Sequence, residues 1–344
     1  MPKLAIIGLG LIGGSIGLAL KRAQLAGLEV AGYDVDGGAA SRARKLGAID
    51  IDARTATEAV EGAAIVVIAT PISRVASVME EIAPALGNDA IVTDTASTKR
   101  EVMRWARELL PAAVSFVGGH PIAGKEQSSI DAADAELFRD RPWAVVATPH
   151  ASERAVKTVE NLILAVGAKP VLIDAEEHDS YLAAVSHLPL LASTALFTLA
   201  QQSQAWPELA ALAGPGFRDV TRLASTNPDL SHDISLTNRT NLVHWLARYI
   251  EELRRYRRLL EDEAAPEELA KAFATAQTER DAFLVAPPER VEASAELGDT
   301  ASAGQRMLNL LVGEYLTRRT KDMEQLMERR AAGDDDPRRK REGR

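Results

Sequence analysis

Three observations predict an α/β domain with a doubly wound parallel sheet, followed by an all-helical domain. Short apolar runs alternate with helical periodicity over the first half of the chain, glycines cluster directly after the first of those runs, and strand character disappears from about Ala175 onward.

The first run, Leu4 to Ile7, ends in Gly8-Leu9-Gly10-Leu11-Ile12-Gly13, and an apolar helical segment continues to about Ala26. In that context Gly8 permits the tight turn, Gly10 lets a pyrophosphate approach the backbone beside Leu11 and Ile12, and Gly13 lets helix pack on strand. Glu29 to Tyr33 is the second strand and ends at Asp34, a carboxylate placed to accept from the ribose hydroxyls of NAD and to repel the 2′-phosphate of NADP. The domain is therefore expected to be Rossmann-like and its cofactor to be NAD.

Ala64 to Ala69 is an unbroken apolar strand ending at Thr70-Pro71, followed by a helix over Ser73 to Leu86. Ala90 to Thr93 is the next strand, and Asp94 to Lys99 leads into a helix reaching about Leu110. Thr70, Pro71 and Ser97 stand at strand ends that line the cofactor crevice in this fold, although Ser97 can equally cap the helix, and Asp94 reads as structural. Val114 to Val117 runs into Gly118-Gly119-His120-Pro121-Ile122-Ala123-Gly124. Glycine and proline are poor strand and helix formers, so the stretch reads as a loop presenting one imidazole, a candidate general base. A polar loop with a short helix over Lys125 to Asp140, a strand at Trp143 to Ala147, a helix from about Ser152 to Val166 and a strand at Lys169 to Ile173 close the domain at residue 174.

Beyond it, helices are expected over Glu177 to Gln204, Asn238 to Glu261, Pro266 to Ala286 and about Ser302 to Arg330, with a charged, disordered tail over 331–344. Residues 175–330 are apolar on more than one face, which points to a homodimer built through this domain. Glu177-His178-Asp179 looks metal-like, but consecutive helical residues diverge, so no metal site is expected.

Composition narrows the class further. The chain has 344 residues, no cysteine and a net charge of −9. That size calls for two domains. The missing cysteine removes disulfides and thiolate chemistry, and the acidic balance argues against a nucleic-acid surface. No apolar run reaches membrane-spanning length and no leader precedes the first strand, so the expectation is a cytoplasmic enzyme without membrane contact.

Five segments, in order, resemble the prephenate/arogenate dehydrogenase family of tyrosine biosynthesis: Gly8 to Ser15, Asp94 to Lys99, Gly118 to Gly124 with Glu126, Ser186-His187-Leu188-Pro189, and Gly216 to Arg222. The resemblance implies NAD-dependent oxidative decarboxylation of prephenate, or of arogenate as the alternative. It implies His120 and Ser97 as catalytic residues from the nucleotide domain. Arg222, Glu126 and Ser186 then stand on the substrate side, the active site being a cleft between the domains. Arg218, Asp219 and Glu126 are either a gate at its mouth or an ordinary solvated face. Many members carry a second histidine where this chain has Leu190 and an aromatic residue where it has Ser231, at the end of the substrate that distinguishes a keto acid from an amino acid. Two rivals remain. A 3-hydroxy-acid dehydrogenase would need a lysine in the apolar segment Ser186 to Leu196, which has none, and a non-catalytic NAD-sensing module would be indifferent to His120.

Overall fold

The computed structural model describes residues 2–288, apart from 26, 126, 149 and 150. They fall into two compact units, the first ending at Ala175 and the second beginning at Glu176. The expected helix over 302–330 and the tail over 331–344 lie outside the described residues.

In the first unit eight strands form one sheet: β1 (Lys3–Ile7), β2 (Glu29–Tyr33), β3 (Ile51–Asp52), β4 (Ile65–Ile68), β5 (Ile91–Asp94), β6 (Ser115–Pro121), β7 (Pro142–Ala147) and β8 (Lys169–Leu172). Their order is β3-β2-β1-β4-β5-β6-β7-β8. All neighbours are parallel except β6 and β7. The order reverses at β1, between β2 and β4, the switch point at which doubly wound sheets open a crevice. Strand β4 is central and wholly buried, as its unbroken Ile65-Val66-Val67-Ile68 run requires.

Six helices pack on the sheet: α1 (Leu11–Arg22), α2 (Gly37–Lys45), α3 (Ala56–Val60), α4 (Ile72–Ile82), α5 (Arg100–Leu109) and α6 (Glu153–Ala165). Helix α4 buries Ile72, Val75, Met79 and Ile82, a stripe at helical spacing. Elements α2, β3 and α3 carry too few large apolar residues to signal themselves in sequence. Helix α2 instead begins where the Asp36 side chain accepts from the Gly38 N–H.

One expectation is overturned. Gly118, Gly119, His120 and Pro121 belong to β6 and not to a loop, with His120 opposite Ala144 in the antiparallel β6–β7 ladder. The glycines are there for close approach: a Cβ on Gly119 would stand 2.5 Å from the Asp94 carbonyl oxygen and 2.9 Å from Trp143 Nε1. Pro121 ends the strand, where a missing N–H costs least.

The second unit is helical throughout its described residues. A single rod comprises α7 (Ala175–Leu182), a π-helical turn (Ala183–His187) and α8 (Leu188–Gln201). It is followed by α9 (Trp206–Ala211), α10 (Pro215–Thr221), a 3₁₀ turn (Arg222–Ser225), α11 (Pro228–Thr237), α12 (Arg239–Glu261) and α13 (Pro266–Val285). The rod corrects the expectation that no apolar run is long enough for a bilayer, because Ala175–Gln201 holds 27 residues with a most apolar window of mean hydropathy 1.6. Several of its polar groups, however, bond within the unit. Asn238 Nδ2 donates to the Asp179 carbonyl at 2.6 Å and lies 3.0 Å from His187 Nδ1, and Trp245 Nε1 donates to the Ser180 carbonyl.

Candidate active site

The glycine turn is a cradle that only glycine can build. Gly8 has φ +96°, and a Cβ there would lie 2.6 Å from the Ala69 carbonyl oxygen and 3.0 Å from the Thr70 nitrogen. A Cβ on Gly10 would lie 2.9 Å from the Ser128 carbonyl oxygen, which accepts from the Leu11 N–H at 2.9 Å. The N–H groups of Ile12 and Gly13, in the first turn of α1, have no intrahelical partner and form the positive end of the helix dipole. At the same edge the buried Thr70 hydroxyl has no hydrogen-bond partner among the described residues. An open cradle, a helix N-terminus and an orphaned hydroxyl fit a dinucleotide.

Asp34 sits where β2 ends and is already fixed by the main chain, accepting from the Leu9 N–H at 2.7 Å through Oδ2 and from the Asp36 N–H at 2.8 Å through Oδ1. Each oxygen keeps lone-pair capacity for a further donor. Pro71 starts the neighbouring helix as the N-cap of α4.

His120 is 8% exposed, held at the carboxyl end of β6 on the same side of the sheet as the glycine turn. Ser97 is half-buried, beyond the end of β5. It does not cap α5, whose N-cap is Lys99 with no side-chain hydrogen bond, so the capping alternative falls away.

Between them lies a pair that the sequence did not announce as functional. Asp94 and Lys99 are both fully buried and ion-paired. Asp94 Oδ1 accepts from the Gly119 N–H at 3.0 Å, Asp94 Oδ2 accepts from the Ala96 N–H at 2.8 Å, and Lys99 Nζ donates to the Gly119 carbonyl at 2.6 Å. The available signal was a pair of opposite charges five residues apart, immediately after a buried strand.

In the helical unit Ser186 is exposed on the π turn, while its neighbour His187 is buried. Burial pushes the His187 imidazole down to about 4, and its Nε2 has no partner among the described residues. The π turn widens the rod locally, a distortion common at functional sites. Arg222 is exposed at the start of the 3₁₀ turn, which is tied to α8 by the Ala224 N–H donating to Ser193 Oγ. Ser231 donates to the Asn227 carbonyl of its own helix. His178 and Asp179, expected to diverge, hydrogen-bond to each other at 2.8 Å. Glu126 lies outside the described residues.

Comparison with known families decides the kinship. A family model described as prephenate dehydrogenase, nucleotide-binding domain, matches residues 16–172, and one described as prephenate dehydrogenase, dimerization domain, matches 174–275. The chain belongs to the prephenate dehydrogenase family. A prephenate dehydrogenase of Bacillus subtilis is 36% identical over 278 residues, covering 80% of this chain and 74% of that protein. A cyclohexadienyl dehydrogenase of Zymomonas mobilis is 35% identical over 257 residues, covering 74% of this chain and 87% of that protein. Among solved structures, prephenate dehydrogenase from A. aeolicus in complex with hydroxyphenyl propionate and NAD+ is similar with TM-score 0.76 and 29% identity, covering 82% of this chain and 98% of the other. Synechocystis arogenate dehydrogenase is similar with TM-score 0.70 and 28% identity, at 82% and 99% coverage.

Proposed function

We propose that this chain is an NAD-dependent dehydrogenase that converts prephenate to 4-hydroxyphenylpyruvate with loss of CO₂. The observation that carries the reading is the nearly buried imidazole of His120, fixed at the sheet edge that also holds the glycine cradle, in a chain of this family. NAD, held by the glycine turn and Asp34, would supply the acceptor for the hydride of the ring carbon that bears the hydroxyl. Every other demand of the reaction falls on side chains. His120 accepts the hydroxyl proton as the carbonyl forms. Ser97 donates a hydrogen bond to the same oxygen. Arg222 pairs bidentately with the ring carboxylate, and Ser186 and Glu126 complete the substrate side. Loss of that carboxylate as CO₂ leaves its bonding electrons in the ring, which becomes aromatic.

Gly8, Gly10, Leu11, Ile12, Gly13, Thr70 and Pro71 are assigned to the dinucleotide, and Asp34 to its adenosine ribose. The family match of 174–275 to a dimerization domain supports a homodimer, and we assign the exposed apolar Leu196, Phe197 and Leu199 of α8 to its interface. A cytoplasmic location accords with a soluble biosynthetic role.

Arogenate is the second reading. It is left open by Leu190, which can hydrogen-bond neither the keto acid of prephenate nor the amino acid of arogenate. Turnover of prephenate and of arogenate, each with NAD and with NADP, followed at the reduced-nicotinamide absorbance, tests both readings; no reduction with either substrate refutes them. His120→Asn is expected to lower kcat about a hundred- to ten-thousandfold while NAD affinity is kept.

A further inference from the structure

Resting on the assignment of His120 as the base, we infer that Asp94 and Lys99 are positioning residues that set the distance between His120 and Ser97. The pair grips both polar groups of Gly119, the residue immediately before His120: Asp94 takes its N–H and Lys99 its carbonyl. The same carboxylate takes the N–H of Ala96, the residue immediately before Ser97. One buried cluster therefore holds the main chain next to each of the two groups assigned to the hydroxyl oxygen.

The need for such a grip follows from the glycines. Position 119 must lack a side chain, because a Cβ would meet the Asp94 carbonyl oxygen at 2.5 Å and Trp143 Nε1 at 2.9 Å. Glycine is also the residue with the most backbone freedom, and Gly118-Gly119 places two in succession beside the base. The ion pair removes that freedom. Its burial points the same way: desolvating two charges offsets much of their mutual attraction, so the use of the pair lies in the three main-chain groups it holds. What apolar side chains cannot do is hold a peptide group by both ends.

The test compares the parent with Asp94→Leu/Lys99→Met, which leaves no buried charge to unfold the sheet. Thermal melting and NAD binding by fluorescence are measured beside kinetics. The double variant is expected to stay folded, with Kd for NAD and KM for prephenate within about threefold of the parent and kcat at least about thirtyfold lower. A larger primary isotope effect is expected with substrate deuterated at the hydroxyl-bearing carbon, since chemistry becomes rate-limiting. A folded double variant with kcat within threefold of the parent overturns the inference, as does a kcat loss matched by loss of NAD affinity. Should the double variant not fold, Lys99→Arg, which keeps the cation, is set against Lys99→Met. A tenfold or greater kcat advantage for Lys99→Arg at equal KM supports the grip, and any smaller difference overturns it. A parent inactive on both prephenate and arogenate refutes the proposed function first and this inference with it, whereas an active parent with indifferent variants refutes this inference alone.

Discussion

Replacing Gly119 by alanine adds one methyl group in the middle of the sheet. The backbone angles of Gly119 lie outside the left-handed region, so alanine suffers no conformational penalty and the effect is purely one of space. The added carbon would meet the Asp94 carbonyl oxygen at 2.5 Å, Trp143 Nε1 at 2.9 Å and Thr93 Oγ1 at 3.1 Å. Reaching the 3.4 Å of ordinary contact requires β5 and β6 to part by about 0.9 Å at this point. Overpacking of this kind costs about 1–3 kcal/mol, and in a domain of this size each kcal/mol lowers Tm by about 2–4 °C. The catalytic effect is expected to be larger than the structural one, because a misplacement of about 1 Å costs roughly a hundredfold in rate. Gly119→Ala should therefore melt about 2–12 °C lower, lose about two orders of magnitude in kcat and bind NAD as before. Calorimetry, initial rates of nicotinamide reduction and fluorescence titration read the three quantities. A variant with parental kcat and parental Tm would show that the strand tolerates the methyl group and that the close approach sets nothing.

Other outcomes follow from charges. Arg222→Ala should raise KM for prephenate about ten- to a hundredfold while leaving kcat within about threefold, and an unchanged KM would remove the guanidinium from the carboxylate. Asp34→Ser should raise the NADP-to-NAD ratio of kcat/KM by about tenfold or more, read from parallel assays with the two cofactors. His187 titrates near 4 in the fold and near 6.5 when unfolded, so above about pH 6.5 it contributes nothing to pH dependence. As pH falls from there toward 4 only the unfolded chain takes up the proton, and about 3 kcal/mol of stability is lost. Denaturant titrations at pH 7 and pH 4 should show that loss in the parent and a smaller one in His187→Gln; equal losses would place the acid sensitivity elsewhere.

The alternation of apolar runs and helical segments was sufficient to place seven of the eight strands, because all of them but β8 are largely buried and β8 follows directly on a well-marked helix. Strand β3 escaped because two residues, Ile51 and Asp52, carry no periodicity. The glycine turn and Asp34 were legible because their chemistry is local: the residues that make the cradle are neighbours in sequence. His120 was legible as a residue and misread as a conformation. Propensity argues against glycine and proline in a strand, but the ladder with β7 and the tight approach to Asp94 override it, and both are tertiary facts. The grip of Asp94 and Lys99 on Gly119 was illegible for the same reason, since Gly119 stands 25 residues from Asp94 and 20 from Lys99. The π turn at Ala183–His187 leaves no mark in a sequence that reads as ordinary helix.

Carrying the imidazole on a paired strand has a consequence for how it moves. A histidine on a surface loop opens with the loop, through local fluctuations that cost little free energy. In β6, where it pairs with Ala144 of β7, His120 can leave its place only when that part of the ladder opens with it. Its amide hydrogen and those of Phe116 and Val117 should exchange with solvent among the slowest in the nucleotide-binding unit, so that the geometry of the base persists for as long as the core itself.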